Sequence, residues 1–355
     1  MVKAHALVMA LNKGQAATNL ARSMHLIDHS LRIHSADGEL CIPLVRAVEE
    51  SESRRLSLAL GTVRVEERKF SQRRSSRRTL FEELQDQLPP HLLAAIPKSL
   101  DIVGQIAIVE LPDELSPFEE LIGKAILVTC PSVRTVMAKA SAISSLYRVR
   151  ELRLIAGEDY PVAHHRENGC VFELDVRAVF FSPRLSHERL RVARQVQPGE
   201  TVVDMFAGVG PYSILIAKRQ PTSTVYAVDI NPSALKFLRS NILANRVVAN
   251  VRPIGGDIRE IIRSTLSGVA DRVIMNLPGD AVSFINEACL SLKETGGVLH
   301  FYSFESSERP GQAAAAKLEQ GVQASGRKVN SMLTTRVVKA VAPYRVQVAV
   351  DGVIA

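Results

Sequence analysis

The chain has 355 residues, 46% apolar and 23% charged, with 44 Lys and Arg against 37 Asp and Glu. That length implies two or three domains, and the composition is that of a soluble globular protein. No apolar run approaches the roughly 18 residues a membrane helix needs. Four cysteines (Cys41, Cys130, Cys170, Cys289) lie scattered without CxxC spacing. This argues against a zinc site or a disulfide scaffold and fits a reducing cytosol. The basic excess is local: between Arg54 and Arg78 there are nine basic residues and two acidic ones. Such a cluster fits either a polyanion partner or a solvated linker.

Residues 1–66 read as a small α/β domain. "HALVMAL" is a strand rather than a signal peptide, because no cleavage site follows it. "QAATNLARSMHL" is a helix, and "LRIHSADGELCIPLV" a hairpin turning at Ala36-Asp37-Gly38. The basic, Ser-rich "RKFSQRRSSRR" then reads as a linker, giving a boundary at 67–78. A middle α/β domain follows over 79–172, with the helix "LFEELQDQL", a buried strand "DIVGQIAIVEL", the helix "ELSPFEELIGKAIL" and further strands from Val133 to Ile155. From 173 to 355 strands and helices alternate. "TVVDMFAG", "TVYAVDI", "NVRPIGG", "DRVIMNLP" and "GVLHFYSF" are each followed by a helical stretch, which predicts a doubly wound α/β sheet. "RVVKAVA" and "RVQVAVDGVI" read as an antiparallel pair at its edge.

The first turn of that sheet runs Asp204-Met-Phe206-Ala-Gly208-Val-Gly210-Pro211-Tyr212. Its glycines allow a ligand close to the backbone, and the helix behind offers free N–H groups. The third glycine of GxGxxG is replaced by Ser213, so the turn suits a pyrophosphate poorly. Asp204 would repel a pyrophosphate and accept from a methionine ammonium. Asp229 ends the second strand, where a carboxylate accepts from both ribose hydroxyls, and Asp257 follows the third, where it accepts from an adenine amino group. Together these point to S-adenosylmethionine, with Phe206, Gly208, Gly210, Pro211, Ile230 and Ile258 beside the acids. Asp204 and Asp257 also fit plain turn acids. Asn231-Pro232 reads as an N-cap with proline at the first helical position.

Asn276 closes the fourth strand in "VIMNLPGDA", where an amide can both donate to and accept from a nucleobase edge, or simply form an Asx turn. In "FFSPRLSHERLRVARQV", Ser186 reads as an N-cap, with Leu190 and Ala193 on the buried face of the following helix. Glu188 falls in its first turn, where the helix dipole favours an acid whatever its function.

These segments, with "LDIVGQIAIVELP", "YRVRELRLIAGE", "RENGCVFELD", "DINPSALKFLRSNI", "GGDIRE" and "LHFYSF", together resemble the archaeal and eukaryotic tRNA (guanine-37 N1) methyltransferases of the class I (Rossmann-like) fold. The resemblance covers nearly the whole chain. It implies a small N-terminal domain that reads tRNA, a middle domain, and a C-terminal domain that binds S-adenosylmethionine. It further implies a cytoplasmic, monomeric enzyme with no metal and no membrane partner. Carried onto matching positions, Glu188 is the general base, Arg148 of "YRVRE" faces guanine oxygen 6, and Asn276 holds the base edge. Arg150 stands two residues from Arg148, on the same face of an extended strand, and competes for its role. Tyr212 and Phe180 depart from the family's usual Phe and Tyr but keep a ring. A wyosine-pathway enzyme alkylating a modified guanosine, by methyl or aminocarboxypropyl transfer, is the alternative.

Overall fold

The computed structural model describes residues 2–36, 38–72, 78–97, 99–141 and 147–355; Asp37 and residues 73–77, expected in a turn and a linker, lie outside them. The chain divides into two compact units, Met1–Glu82 and Glu83–Ala355.

The first unit contains β1 (Val2–Ala10), α1 (Gly14–Ser23), β2 (His34–Ala36), β3 (Glu39–Leu44), α2 (Glu50–Leu60) and β4 (Arg64–Phe70), with sheet order β2-β3-β1-β4. Central β1 is buried on both faces. Leu7 and Met9 pack with Ala17, Ala21, Leu56 and Leu60 under the helices, while Ala6 and Val8 meet Leu31, Cys41 and Phe70 on the other side. Arg68–Phe70, at the start of the expected linker, are part of β4, which pairs antiparallel with β1. β4 is an edge strand, and edges tolerate a charged face. Only its Phe70 is buried, so its charges hide its periodicity. Arg64 pairs with Glu39 and Arg68 with Glu66.

The second unit begins with α3 (Leu80–Leu84), where the division falls, and α4 (Pro90–Ala95). It continues through β5 (Asp101–Val103), β6 (Ile106–Val109), α5 (Glu119–Thr129), β7 (Thr135–Lys139) and β8 (Leu152–Gly157), with sheet order β5-β6-β7-β8. The single strand expected over 101–111 is a hairpin, because Gly104 takes a φ of 57° and turns the chain at Gly104-Gln105. β9 (Val162–Glu167) and β10 (Cys170–Asp175) form a second hairpin around Asn168-Gly169, both at positive φ.

After α6 (Ser186–Gln195) come β11 (Thr201–Asp204), α7 (Pro211–Arg219), β12 (Thr224–Asp229), α8 (Pro232–Ala244), β13 (Val251–Gly255), α9 (Ile258–Ile261), β14 (Arg272–Met275) and α10 (Ile285–Ser291). β15 (Gly297–Ser306), α11 (Pro310–Ala324), β16 (Val329–Ala342) and β17 (Arg345–Ile354) complete the unit. The sheet order is β13-β12-β11-β14-β15-β17-β16, parallel from β13 to β15 and antiparallel beyond. The doubly wound sheet is thus as the alternation predicts, with β17 inserted between β15 and edge strand β16. One apolar layer gathers Ile214, Leu238 and Ile274, and the other Val273, Phe301 and Leu318. Strand order reverses between β11 and β14, the place where such sheets bind ligands beyond their C-terminal ends.

Candidate active site

A cavity of about 360 Å³ lies beyond those strand ends, within the range of small-molecule sites. On one side it is built from local turns. Gly208 and Gly210 follow β11 with φ of 56° and 87°, left-handed values that favour glycine. Their surroundings separate their roles. A Cβ on Gly208 would meet nothing nearer than the Phe180 carbonyl at 3.9 Å, so this turn is open for a ligand. A Cβ on Gly210 would strike Leu238 at 2.5 Å and Ile214 at 2.9 Å, so Gly210 serves close packing and does not line the cavity.

Asp229 lines the cavity, with Oδ2 accepting from the Gly208 N–H at 2.6 Å and Oδ1 from the Asn231 N–H at 2.8 Å. Burial raises its pKa above the ordinary carboxylate value, although those two N–H groups offset part of the effect. Each oxygen keeps a lone pair for a diol. Asn231 caps α8 through the Ser233 N–H as its sequence predicts, and its Nδ2 donates to the Ala178 carbonyl at 2.9 Å. Asp257 caps α9 and pairs with Arg259, whose hydrogen bond pulls its pKa down. Ile230, Ile258, Phe206 and Phe284 form an apolar slot beside these acids, the two rings meeting edge to face at 5.1 Å.

Asp204 is a different case. It is 1% exposed and absent from the cavity wall, with Oδ2 accepting from Ser213 Oγ at 2.7 Å and Oδ1 unpartnered among the described residues. Burial, aided by the nearby Asp229 charge and opposed by Ser213, pushes its pKa up to about 7. The predicted contact with an ammonium therefore has no place on the wall, because the turn carries this side chain inward onto α7.

The opposite side is assembled from distant segments. Arg148 sits in a turn at φ 56°, ahead of β8, and lines the cavity with its guanidinium against Gly279; a Cβ there would come within 2.5 Å of Nη1. The shared strand face expected for Arg148 and Arg150 does not exist. Arg150 is off the wall, adding to the positive field that Lys139 places on Glu110. Asn276 lines the cavity, with its Oδ1 oriented by Gln347 Nε2 at 3.3 Å. Its Nδ2 has no partner among the described residues and remains free to donate.

Ser186 is not the cap of α6. It is the first helical residue after the 3-10 turn Pro183–Leu185, and its carbonyl and hydroxyl accept from Asn168. The helix buries Glu188, Arg189, Val192 and Ala193. Arg189 is 2% exposed yet lines the cavity, and forks onto Glu167 at 2.6 and 2.5 Å. Glu188 does not reach the wall. Its Oε1 accepts from Tyr302 OH at 2.7 Å and from Arg191 Nη2 at 2.7 Å, and its Oε2 from Arg191 Nε at 3.0 Å. Tyr302 OH in turn lies 3.2 Å from the hydroxyl of Tyr212, whose side chain is part of the wall.

Family models match for the TRM5/TYW2 methyltransferase domain over residues 163–329 and for the TYW2 N-terminal domain over residues 80–160. The chain is 39% identical over 346 residues to the tRNA (guanine(37)-N(1))-methyltransferase Trm5b of Pyrococcus abyssi, covering 98% of each. The chain belongs to the TRM5/TYW2 methyltransferase family. Among solved structures it superposes on Trm5b from Pyrococcus abyssi with a TM-score of 0.74 at 37% identity, covering 99% of each chain. It superposes on aTrm5, solved with tRNALeu, with a TM-score of 0.70 at 29% identity, again covering 99% of each. Family membership and cavity agree: the open turn at Gly208, the Asp229 carboxylate and the apolar wall made by Ile230, Ile258, Phe206 and Phe284 fit an adenosyl group. Phe284 and Arg259 of this wall escaped the sequence reading. A ring just inside the helix after "NLPGDA" was the available clue.

Proposed function

We propose that the protein transfers the methyl group of S-adenosylmethionine to N1 of guanosine 37 in tRNA. One observation carries the reading: Arg148 and Asn276, from segments far apart in sequence, meet at a cavity whose other wall is built for an adenosyl group. S-adenosylmethionine, when bound, supplies an electrophilic methyl group on a sulfonium. The side chains handle the guanine. Its N1 carries a proton and is a poor nucleophile, so a base must take that proton as the N1–carbon bond forms and the methyl–sulfur bond breaks, its electron pair leaving with the thioether S-adenosylhomocysteine. Glu188 is the proposed base, one side chain behind the wall, and its Oε1 is linked to the cavity through the hydroxyls of Tyr302 and Tyr212. Negative charge then grows toward guanine oxygen 6, where the Arg148 guanidinium stabilises it. The free Nδ2 of Asn276 donates to the base edge.

The N-terminal domain, expected over 1–66 but running through β4 to Phe70, and the basic residues up to Arg78 are assigned to tRNA binding. The middle domain follows from 79, and the methyltransferase domain, expected from 173, begins at an element boundary rather than inside β10 (Cys170–Asp175). The pairs made by Arg64 and Arg68 are exposed and therefore weak, so phosphates can replace their carboxylates. A cytoplasmic monomer is part of the same proposal, and four cysteines scattered without CxxC spacing fit that compartment.

Mass spectrometry of nucleosides from a treated, unmodified tRNA transcript tests the reaction. The expected product is 1-methylguanosine at position 37. Alkylation of only a tricyclic guanosine derivative, or transfer of an aminocarboxypropyl group, would replace this reading with the wyosine-pathway alternative, to which the match over residues 80–160 also relates.

A further inference from the structure

Behind Glu188 lies a buried polar array that the proposed chemistry does not yet use. β15 and β17 pair with His300 directly opposite Asp351, and His300 and Tyr302, two residues apart, share a sheet face. α6 lays Arg191 across this face. Its guanidinium bonds both oxygens of Glu188 and both oxygens of Asp351, Nη2 reaching Asp351 Oδ1 at 3.1 Å. Asp351 also accepts from Gln195 Nε2 at 3.2 Å and contacts His300 Nδ1 at 2.7 Å. On the far side of that ring, Nε2 lies 2.9 Å from Arg272 Nη1, and Arg272 is forked onto Glu200 at 2.7 and 3.0 Å.

The proton positions follow from the partners. A guanidinium only donates, so His300 Nε2 accepts and its Nδ1–H is left to donate to Asp351. Burial lowers the pKa of His300 and favours the same neutral ring. Arg272 and Glu200 cancel, as do Arg189 and Glu167. Tyr302 and Tyr212 are neutral, both pushed up by burial. Arg336, from β16, is the one further charge facing Glu188 among the described residues, with Nη1 at 3.9 Å and its side chain 46% exposed. The buried trio of Glu188, Arg191 and Asp351 therefore holds two negative charges and one positive.

We propose that Arg191 is a positioning residue for Glu188, and that Asp351, oriented by His300, shares the Arg191 fork, so that the guanidinium holds Glu188 in place without being devoted to it alone. This rests on the reading of Glu188 as the base. A guanidinium devoted wholly to Glu188 would hold it ionised but make it a poor proton acceptor. With Asp351 claiming half of the fork, the trio is one proton short of neutrality, and the proton leaving guanine N1 supplies it.

The proposal predicts shifts of opposite sign. In Arg191→Met two carboxylates face each other with less compensation. The acid limb of the single-turnover methyl-transfer rate then moves to higher pH by about one unit or more. In the isosteric Asp351→Asn the whole Arg191 charge falls on Glu188. The limb moves to lower pH while the plateau rate drops about tenfold or more. Arg191→Lys keeps the charge without the fork, so it keeps the wild-type limb with a reduced plateau. If Arg191→Met does not fold, Arg191→Lys and Asp351→Asn carry the test. A folded Arg191→Met or Asp351→Asn whose limb stays in place, limbs of these two that move in the same direction, or an Arg191→Lys limb that moves, overturns the proposal. Glu188→Gln in parallel separates the failures: undiminished turnover there removes the base itself. Lost turnover there with unmoved limbs in the other variants removes only the positioning role.

Discussion

The two walls of the cavity are made in different ways. On the adenosyl side the polar contacts are local: Asp229 takes one N–H from two residues away and another from 21 residues away, and Asp257 caps the helix it precedes. On the guanine side Glu188 is held by a tyrosine 114 residues away, and its partner Arg191 by an aspartate 160 residues away. A wall made of turns can form as soon as its strands are ordered. A wall made of long-range pairs exists only when α6, β15 and β17 have docked. Cofactor binding is therefore separable from turnover, and substitutions on the two walls have different signatures.

The largest effect is expected at Glu188. Glu188→Gln lowers the single-turnover rate by about 10²–10⁴ while leaving affinity for S-adenosylhomocysteine unchanged by titration calorimetry. Parallel loss of both would erase the separation of the walls. Asp229→Asn should show the converse. The substitution leaves one amide NH₂ against a backbone N–H that formerly found an oxygen, so cofactor affinity falls about tenfold to a hundredfold. The rate at saturating cofactor should change far less.

A smaller effect concerns Asp204, which belongs to neither wall. Its pKa is pushed up to about 7 in the folded protein, above the ordinary carboxylate value of 3.8. The folded state thus holds a proton that the unfolded chain releases. This contribution to stability is complete below about pH 4 and is lost as pH rises through about 7. Asp204→Asn removes that slope, so the difference in Tm between variant and wild type should grow in favour of the variant from pH 4 to 7. The difference isolates Asp204, because Asp229, raised by burial, and His300, lowered by burial, titrate in both proteins. A difference constant over this range would contradict the assignment.

The same contrast decides what could be read from the sequence. The adenosyl wall was legible because its signals are contiguous: glycines at Gly208 and Gly210, an acid at the end of β12, and Asn231-Pro232 opening α8. The sheet was legible from its alternation of strands and helices. Asn276, ending a buried strand at a proline, was recognisable as unusual, but its orientation by Gln347 was not, since that residue lies on β17. Arg148 was picked over Arg150 only by resemblance; the turn at positive φ that separates them leaves no periodic trace. The array behind Glu188 did leave one. His300 between Leu299 and Phe301, and Asp351 beside Val350, are polar groups among buried apolar neighbours, and a buried polar group needs a partner. What the sequence withholds is which partner, because the β15–β17 register is set by tertiary packing.

The most direct test of the account uses labelled S-adenosylmethionine and two unmodified tRNA transcripts, identical except for guanosine or adenosine at position 37. Label is expected in the guanosine transcript alone. Equal labelling of both, or of neither, would contradict the assignment of this cavity to guanine-37 N1.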